Sequence, residues 1–138
     1  MKLSAHTDGA SKGNPGPAAI GFTIEKDGYV LEEFCEYIGE TTNNIAEYRA
    51  FISVLSRMKE LGGADITVYT DSELAARQIN GIYRVKNQGL KPLYKEVMAL
   101  LAEFNSYRIT HVTRDKNTAA DNLANKAIRE HRARAKKQ

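Results

Sequence analysis

The sequence has little from which to build covalent cross-links or soft-metal sites. Its one cysteine, Cys35, excludes an internal disulfide, and we expect that thiol to be buried. No cluster of cysteine and histidine indicates zinc. Neither a phosphate-binding loop of the Walker A kind nor a nucleophile-elbow glycine–serine pattern is present. These absences exclude zinc enzymes, P-loop nucleotidases and serine hydrolases of that type.

Long apolar segments are also absent. No run approaches the roughly 20 residues that a membrane-spanning helix needs. At the N-terminus a charged residue, Lys2, comes before any apolar core, so we expect that the first residues do not form a signal peptide. We therefore expect a cytoplasmic protein that has no membrane partner.

What is present is the composition of an ordinary globular protein. The 138 residues are 42% hydrophobic and 27% charged, which suits one domain over residues 1–138, and we expect a monomer. The net charge of +3 and the pI near 9.0 favour a polyanionic partner. Segment 126–138 carries a C-terminal basic cluster against a single acid, Glu130. The cluster comprises Lys126, Arg129, Arg132, Arg134, Lys136 and Lys137. It is either a solvated helix end or an arm that contacts phosphates.

Apolar periodicity and turn residues predict the elements of the fold. Residues 18–26 alternate as a strand with one buried face does, and Asp27-Gly28 indicates a hairpin. The first helix ends at Gly62-Gly63, and Asn117 or Thr118 caps the last one. Three strands in a meander followed by strand–helix alternation predict an α/β fold with a mixed sheet and packed helices. The predicted strands are 2–8, 18–26, 29–38, 65–70 and 107–113, and the predicted helices are 43–61, 72–80, 91–104 and 117–135.

The first and fourth predicted strands both end in a Thr-Asp pair, which contains Asp8 in one case and Asp71 in the other. In an open α/β sheet, sites form at the carboxyl ends of the strands, and parallel neighbours lie about 4.8 Å apart. Two carboxylates at that separation repel unless a cation lies between them. The alternative is two unrelated aspartates that happen to end strands.

Two further acids lie near the starts of helices. Glu47 shares the apolar face of its helix with Phe51 and Val54, where a carboxylate needs compensation. Asp121 lies in the first turn of the last helix, among alanines. The alternatives are a capping acid and a helix-start aspartate favoured by the helix dipole. Four carboxylates supply the oxygen ligands that hard divalent cations prefer, and two such ions about 4 Å apart can promote phosphoryl displacement.

Four segments, in order, resemble the motifs of the type 1 ribonucleases H: Thr7–Pro17, Thr41–Glu47, Tyr69–Ser72 and Asn117–Ala124. The resemblance extends over nearly the whole chain and implies a ribonuclease H-like fold, a five-stranded mixed sheet flanked by helices. It implies hydrolysis of the RNA strand of RNA/DNA hybrids with two Mg²⁺ or Mn²⁺ ions, leaving 5′-phosphate and 3′-hydroxyl ends. The implied catalytic residues and metal ligands are Asp8, Glu47, Asp71 and Asp121.

The resemblance also implies substrate contacts. Ser11, Asn14 and Asn43 match positions that contact the hybrid, including RNA 2′-hydroxyls, and Thr42 matches a position that binds a DNA phosphate. Glu73 stands where many relatives carry glutamine for a 2′-hydroxyl contact. Asn14 and Asn43 are alternatively turn and cap residues. Because A-like duplexes are recognised mainly through 2′-hydroxyls and backbone, we expect little sequence preference.

The chain departs from the family pattern in two places. Residues 81–95 are short and lack the tryptophan of the basic insertion with which many relatives grip DNA, so hybrid affinity is expected to depend on the C-terminal basic cluster. The loop before Asp121 lacks the histidine that assists product departure in many relatives. Arg114 is the residue hypothesised to take that catalytic role, and a solvated loop charge is the alternative.

Two other functions are compatible with the same motifs. One is a catalytically silent module that binds hybrids or double-stranded RNA. The other is a nuclease of the same superfold that acts on double-stranded RNA, or a fragment of a reverse transcriptase or integrase. The full set of four acids favours an active enzyme.

Overall fold

Five strands, four α-helices and one 3₁₀ turn make up residues 1–137, which are described by a computed structural model. In chain order these elements are β1 (Lys2–Ser11), β2 (Gly16–Lys26), β3 (Tyr29–Thr41), α1 (Asn43–Glu60), β4 (Asp65–Thr70), α2 (Glu73–Ile79), α3 (Lys91–Leu101), β5 (Ser106–His111), the 3₁₀ turn (Arg114–Lys116) and α4 (Thr118–Lys136). None of the helices in this part of the chain is long and apolar enough to cross a membrane.

The strands form a single mixed sheet in the order β3-β2-β1-β4-β5. The first three strands pair antiparallel, and β4 pairs parallel with both β1 and β5. Asp27 and Gly28 both have positive φ angles, 52° and 82°, as a two-residue hairpin requires to match the strand twist. The predicted α/β fold, a five-stranded mixed sheet flanked by helices, is confirmed.

Side-chain caps begin the two helices that follow β3 and β4. The Thr42 hydroxyl accepts a hydrogen bond from the N–H of Ile45 at 3.3 Å, and the Ser72 hydroxyl accepts one from the N–H of Ala75 at 3.2 Å. These caps occupy N–H groups that a helix start otherwise leaves unpaired. They fix where α1 and α2 begin, at the edge of the sheet where β1 and β4 separate.

The main core lies between one face of the sheet and helices α1 and α3. Phe51, Val54 and Leu55 of α1 are fully buried there. Helix α4 covers β1, β2 and β3 on the opposite face, where Ile128 packs in a cluster with Ala19. Strand β2 is therefore buried on both faces, rather than on one as the alternation of residues 18–26 suggests. The Cys35 thiol is only partly buried at this second interface.

Strand β1 is longer at its carboxyl end than the sequence pattern predicts. It continues to Ser11 because β2 pairs with it as far as Ser11 opposite Ala18. The parallel pairing with β4 ends earlier, at Thr7 opposite Thr70. Asp8 therefore does not end its strand, but it directly follows the last residue that β1 pairs with β4.

Candidate active site

Three carboxylates meet where β1 and β4 separate. One oxygen atom from each of Asp8, Glu47 and Asp71 lies within 4.8 Å of the other two. Asp8 and Glu47 are only 5% and 4% exposed, and the Asp71 side chain is 8% exposed. Within residues 1–137 this is the only group of three acidic, histidine or cysteine side chains close enough to share an ion. The structure thus brings together three of the four predicted metal ligands at one point.

Gly9 allows helix α1 to approach the sheet beside Asp8. A Cβ atom at this position would lie 2.2 Å from the backbone carbonyl carbon of Ala46, well inside van der Waals contact. The same glycine donates its backbone N–H to the Glu47 carboxylate. Direct contact between β1 and the backbone of α1 therefore places Glu47 next to Asp8.

Gly21 has the corresponding role for helix α4. It pairs directly with Asp8 across the β1–β2 ladder. A Cβ atom on Gly21 would lie 2.6 Å from the carbonyl oxygen of Ala120 and from the backbone nitrogen of Ala124. The first turns of α4 therefore rest on the sheet itself, and this close packing brings Asp121 near enough to Asp8 to raise the pKa of Asp8.

Burial and crowding raise the pKa values of the two most enclosed acids. Burial is the largest cause for Asp8, followed by the charges of Glu47, Asp71 and Asp121 and a hydrogen bond with Asp121. Burial also raises the pKa of Glu47, although hydrogen bonds from the Gly9 N–H and from Ser72 lower it. Without a cation, the cluster therefore retains protons that isolated carboxyl groups would release.

The donor atoms of the cluster fit a divalent cation. All of them are carboxylate oxygens, which Mg²⁺ and similar hard ions prefer. The Oδ2 atom of Asp71 is buried and has no hydrogen-bond partner within residues 1–137. The nearest cationic group, the Nε of Arg114, is 3.7 Å away, which is too long for a hydrogen bond. A buried carboxylate oxygen without a partner, surrounded by other acids, is what a cation would complete.

A small cavity of about 130 Å³ opens beside the cluster. It is lined by Asp8, Gly9, Ala10, Asn43, Glu47, Asp71, Ser72, Arg114 and Asp121. All four predicted metal ligands are among these residues, as are Asn43 and Arg114. The other predicted substrate-contact residues lie outside the cavity, namely Ser11, Asn14, Thr42 and Glu73.

Three of those outlying residues form a ledge with Asn43. The Ser11 hydroxyl donates to the carbonyl of Thr41 at 2.8 Å, and the Asn14 side-chain oxygen accepts from the backbone N–H of Asn43 at 3.3 Å. Thr42 caps α1 in the same stretch. The Asn14 bond joins the loop after β1 to the start of α1, and it connects the ledge to Asn43, which lines the cavity.

Two charged residues lie at the rim. The Arg114 side chain is 82% exposed and extends from the 3₁₀ turn toward Asp71. Glu73 is exposed on α2, where its carboxylate accepts a hydrogen bond from Arg77 at 3.0 Å. The glutamate is therefore engaged along its own helix rather than at the cavity.

Three groups that shape the site were not predicted from the sequence: the side chain of Ser72, the side chain of Asn117 and the backbone N–H of Gly9. The serine that caps α2 also helps to lower the pKa of Glu47, and its place directly after Asp71 is a signal that could have found it. The pattern identifies Asn117 only as a helix cap, but its side chain donates to the carbonyl of Thr7 instead. No local signal indicates that bond, because its two residues lie 110 positions apart.

The stability of the metal-free protein is expected to fall as the pH rises. Asp8 and Glu47 have folded-state pKa values above their ordinary 3.8 and 4.5. The stability that their neutral forms contribute is therefore fully present below about pH 4 and is lost as the pH rises through the raised values. In EDTA, the melting temperature should fall by about 5 °C between about pH 5 and about pH 8. Mg²⁺ should restore it at the higher pH only.

The Asp8→Asn variant is the control for that measurement, because asparagine cannot ionise. Its melting temperature in EDTA should change less over the same pH range, and Mg²⁺ should raise it less. A pH profile that is identical in the two proteins would show that the acidic cluster does not cause the effect.

Comparisons with known proteins identify the family. A family model described as reverse transcriptase-like matches residues 6–127. Ribonuclease HI of Halobacterium salinarum is 40% identical over 92% of this chain, and a bifunctional protein of Mycobacterium tuberculosis is 40% identical over 93%. The chain spans 64% and 36% of those two relatives. A ribonuclease H of Francisella philomiragia is 36% identical, with 91% of this chain and 90% of that protein covered.

Solved structures agree with the sequence comparison. The crystal structure of the Halobacterium salinarum RNase H1 has a TM-score of 0.91 at 39% identity, and the match covers 94% of this chain and 99% of that one. The structure of LC11-RNase H1 in complex with an RNA/DNA hybrid has a TM-score of 0.89 at 39% identity, with 94% and 98% covered. The sheet and its acidic edge thus define a ribonuclease H-like protein. The chain belongs to the type 1 ribonuclease H family.

Proposed function

We propose that this chain is an endoribonuclease that hydrolyses the RNA strand of RNA/DNA hybrids and leaves 5′-phosphate and 3′-hydroxyl ends. The observation that carries the proposal is the convergence of Asp8, Glu47 and Asp71 within 4.8 Å, beside a cavity that Asp121 also lines. The names of the relatives support it, as does the hybrid bound by LC11-RNase H1.

Asp8, Glu47, Asp71 and Asp121 would together hold two Mg²⁺ or Mn²⁺ ions. Bound there, the ions would polarise the scissile phosphate and lower the pKa of the attacking water. The protein's own contribution is to hold the carboxylates in place, with the Gly9 N–H donating a hydrogen bond to Glu47. The burial of the cluster also excludes bulk water, so its charges act in a medium of low dielectric constant.

Substrate recognition is assigned to the ledge and the rim. Ser11, Asn14 and Asn43 present neutral polar groups next to the acidic cavity, which suits contact with RNA 2′-hydroxyls and backbone. Thr42, at the start of α1, is assigned to a DNA phosphate because a helix N-terminus favours anions. Glu73 would contact the hybrid only after its bond to Arg77 opens.

Arg114 is proposed to assist departure of the cleaved product. Its exposed guanidinium lies 3.7 Å from Asp71, so it stands where it can contact a phosphate at the cavity. Arg114→Ala is therefore expected to lower kcat about tenfold with little change in KM, measured on a labelled hybrid. Lys116→Ala, which removes a charge from the same 3₁₀ turn, should leave kcat unchanged. Equal losses in the two variants would assign the effect to general surface charge.

The experiment that tests the function is a substrate panel. Labelled RNA/DNA hybrid, duplex RNA and duplex DNA are incubated with the protein in Mg²⁺ and, separately, in Mn²⁺. The expected result is internal cleavage of the RNA strand of the hybrid, with no cleavage in EDTA. Cleavage of duplex RNA would extend the substrate range, and binding of hybrid without cleavage in either metal would identify a silent binding module instead.

A further inference from the structure

Asn117 occupies a junction between the strand and the helix that carry the acids. The residue is only 1% exposed, although asparagine is usually a surface residue. The side-chain amide donates a hydrogen bond to the backbone carbonyl of Thr7 at 3.0 Å. Thr7 directly precedes Asp8, so this bond anchors β1 next to the residue that contributes its carboxylate to the site.

The backbone of the same residue connects the other two parts of the site. Its N–H donates to the carbonyl of Arg114 at 2.9 Å, and its carbonyl accepts from the N–H of Asp121 at 3.1 Å. One residue is therefore hydrogen-bonded to the neighbour of Asp8, to Arg114 and to Asp121.

A helix-capping role does not account for this side chain. An asparagine just before a helix normally accepts a hydrogen bond from one of the first helical N–H groups. Asn117 makes no such bond, and its Oδ1 has no hydrogen-bond partner in the part of the chain that the structure describes. The donor end of the amide is engaged with β1 instead, which connects two elements that are distant in sequence.

We propose that Asn117 is a positioning residue that sets Asp121 and Arg114 relative to Asp8. The inference rests on the proposed function, because positioning matters only if the acids hold reactive ions. Displacing a catalytic group by about 1 Å can lower a rate about 100-fold. Polar partners that orient metal ligands typically change metal affinity or activity about 10- to 100-fold when they are removed.

The chain offers a matched control. The side-chain amide of Asn80, at the end of α2, donates to the backbone carbonyl of Ile109 in β5, also at 3.0 Å. Asn80 does not line the acidic cavity. Asn117→Ala and Asn80→Ala therefore remove the same kind of bond between a helix end and a strand, but only Asn117→Ala removes it beside the carboxylates.

The test measures kcat and KM on labelled hybrid, Mn²⁺ affinity by calorimetry and the folded fraction by circular dichroism. In Asn117→Ala we expect kcat to fall about 10- to 100-fold, KM to stay within about threefold and Mn²⁺ affinity to fall about tenfold. In Asn80→Ala we expect lower thermal stability but unchanged kcat and Mn²⁺ affinity. Equal stability losses, with kcat and Mn²⁺ affinity unchanged in Asn117→Ala, would overturn the proposal.

A second variant keeps the test decisive if Asn117→Ala does not fold. Asn117→Ser retains a small polar group, but its shorter side chain stops short of the Thr7 carbonyl. Lower kcat and Mn²⁺ affinity in this folded variant would support the proposal, and wild-type values would overturn it. If the wild-type chain itself does not cleave hybrid, the proposed function fails. Mn²⁺ affinity then decides about Asn117, since a loss supports its positioning role and no loss overturns it.

Discussion

Replacing Asp8 by asparagine is expected to lower the rate of hybrid cleavage by about 10³-fold or more. Metal ions at such sites supply several kcal/mol of transition-state stabilisation, and each 1.4 kcal/mol corresponds to about a factor of ten in rate. Asp8 is the acid whose pKa is raised by all three of the others, so it lies at the electrostatic centre of the cluster. Single-turnover cleavage of a labelled hybrid would measure the loss, and binding of uncleaved hybrid in EDTA should change only a few-fold.

The same substitution elsewhere serves as the control. Asp27 is exposed in the hairpin turn and has a positive φ angle of 52°, a conformation that asparagine also tolerates. Asp27→Asn should therefore retain full activity and stability. In EDTA at neutral pH, Asp8→Asn should be more stable than the wild type by about 1–3 kcal/mol, because asparagine, unlike Asp8 with its raised pKa, does not have to take up a proton when the chain folds. Retained cleavage in folded Asp8→Asn would reject the proposed metal site.

Replacing Gly9 by alanine is expected to destabilise the protein by about 3 kcal/mol or more. The new methyl group would lie 2.2 Å from the backbone of Ala46, and a helix backbone cannot yield as a flexible side chain does. Helix α1 must move away from β1, which also weakens the hydrogen bond from the Gly9 N–H to Glu47. Urea denaturation would measure the stability, and cleavage assayed on the folded fraction should also fall.

Gly28→Ala separates steric conflict from the general effect of replacing glycine. Gly28 has a φ angle of 82°, and a Cβ atom there would meet nothing within 4 Å. Its replacement should cost only the strain of a left-handed backbone, about 1 kcal/mol, and should leave activity unchanged. Similar stability losses for Gly9→Ala and Gly28→Ala would show that the backbones of β1 and α1 are not in close contact at Gly9.

Local patterns were sufficient to predict the order and type of the elements. Alternation, helical periodicity and the Asp27-Gly28 turn depend on neighbours in sequence, and every predicted strand and helix is present. The ends of elements were less predictable. The helix predicted over 91–104 ends at Leu101, and β1 extends to Ser11 because its pairing with β2 is a contact between strands.

The acids of the site were predictable because their chemistry is unusual for where they occur. Glu47 stands on an otherwise apolar helix face, and Asp8 and Asp71 directly follow the last residues that pair β1 with its parallel neighbour β4. The surroundings of the acids were not predictable in the same way. That Gly9 and Gly21 contact helix backbones, and that Asn117 bonds to Thr7, depends on segments far apart in the chain.

The sequence by itself therefore determined which carboxylates the protein has, which elements carry them and which family they resemble. Their convergence was decided only by the tertiary structure. Gly9 and Gly21 lack side chains and so let α1 and α4 pack directly on the sheet near Asp8. The buried Asn117 amide connects the start of α4 to β1. The physical reason is that residue type and periodicity are local properties, whereas the few-ångström separations that a metal site requires arise from packing between distant segments.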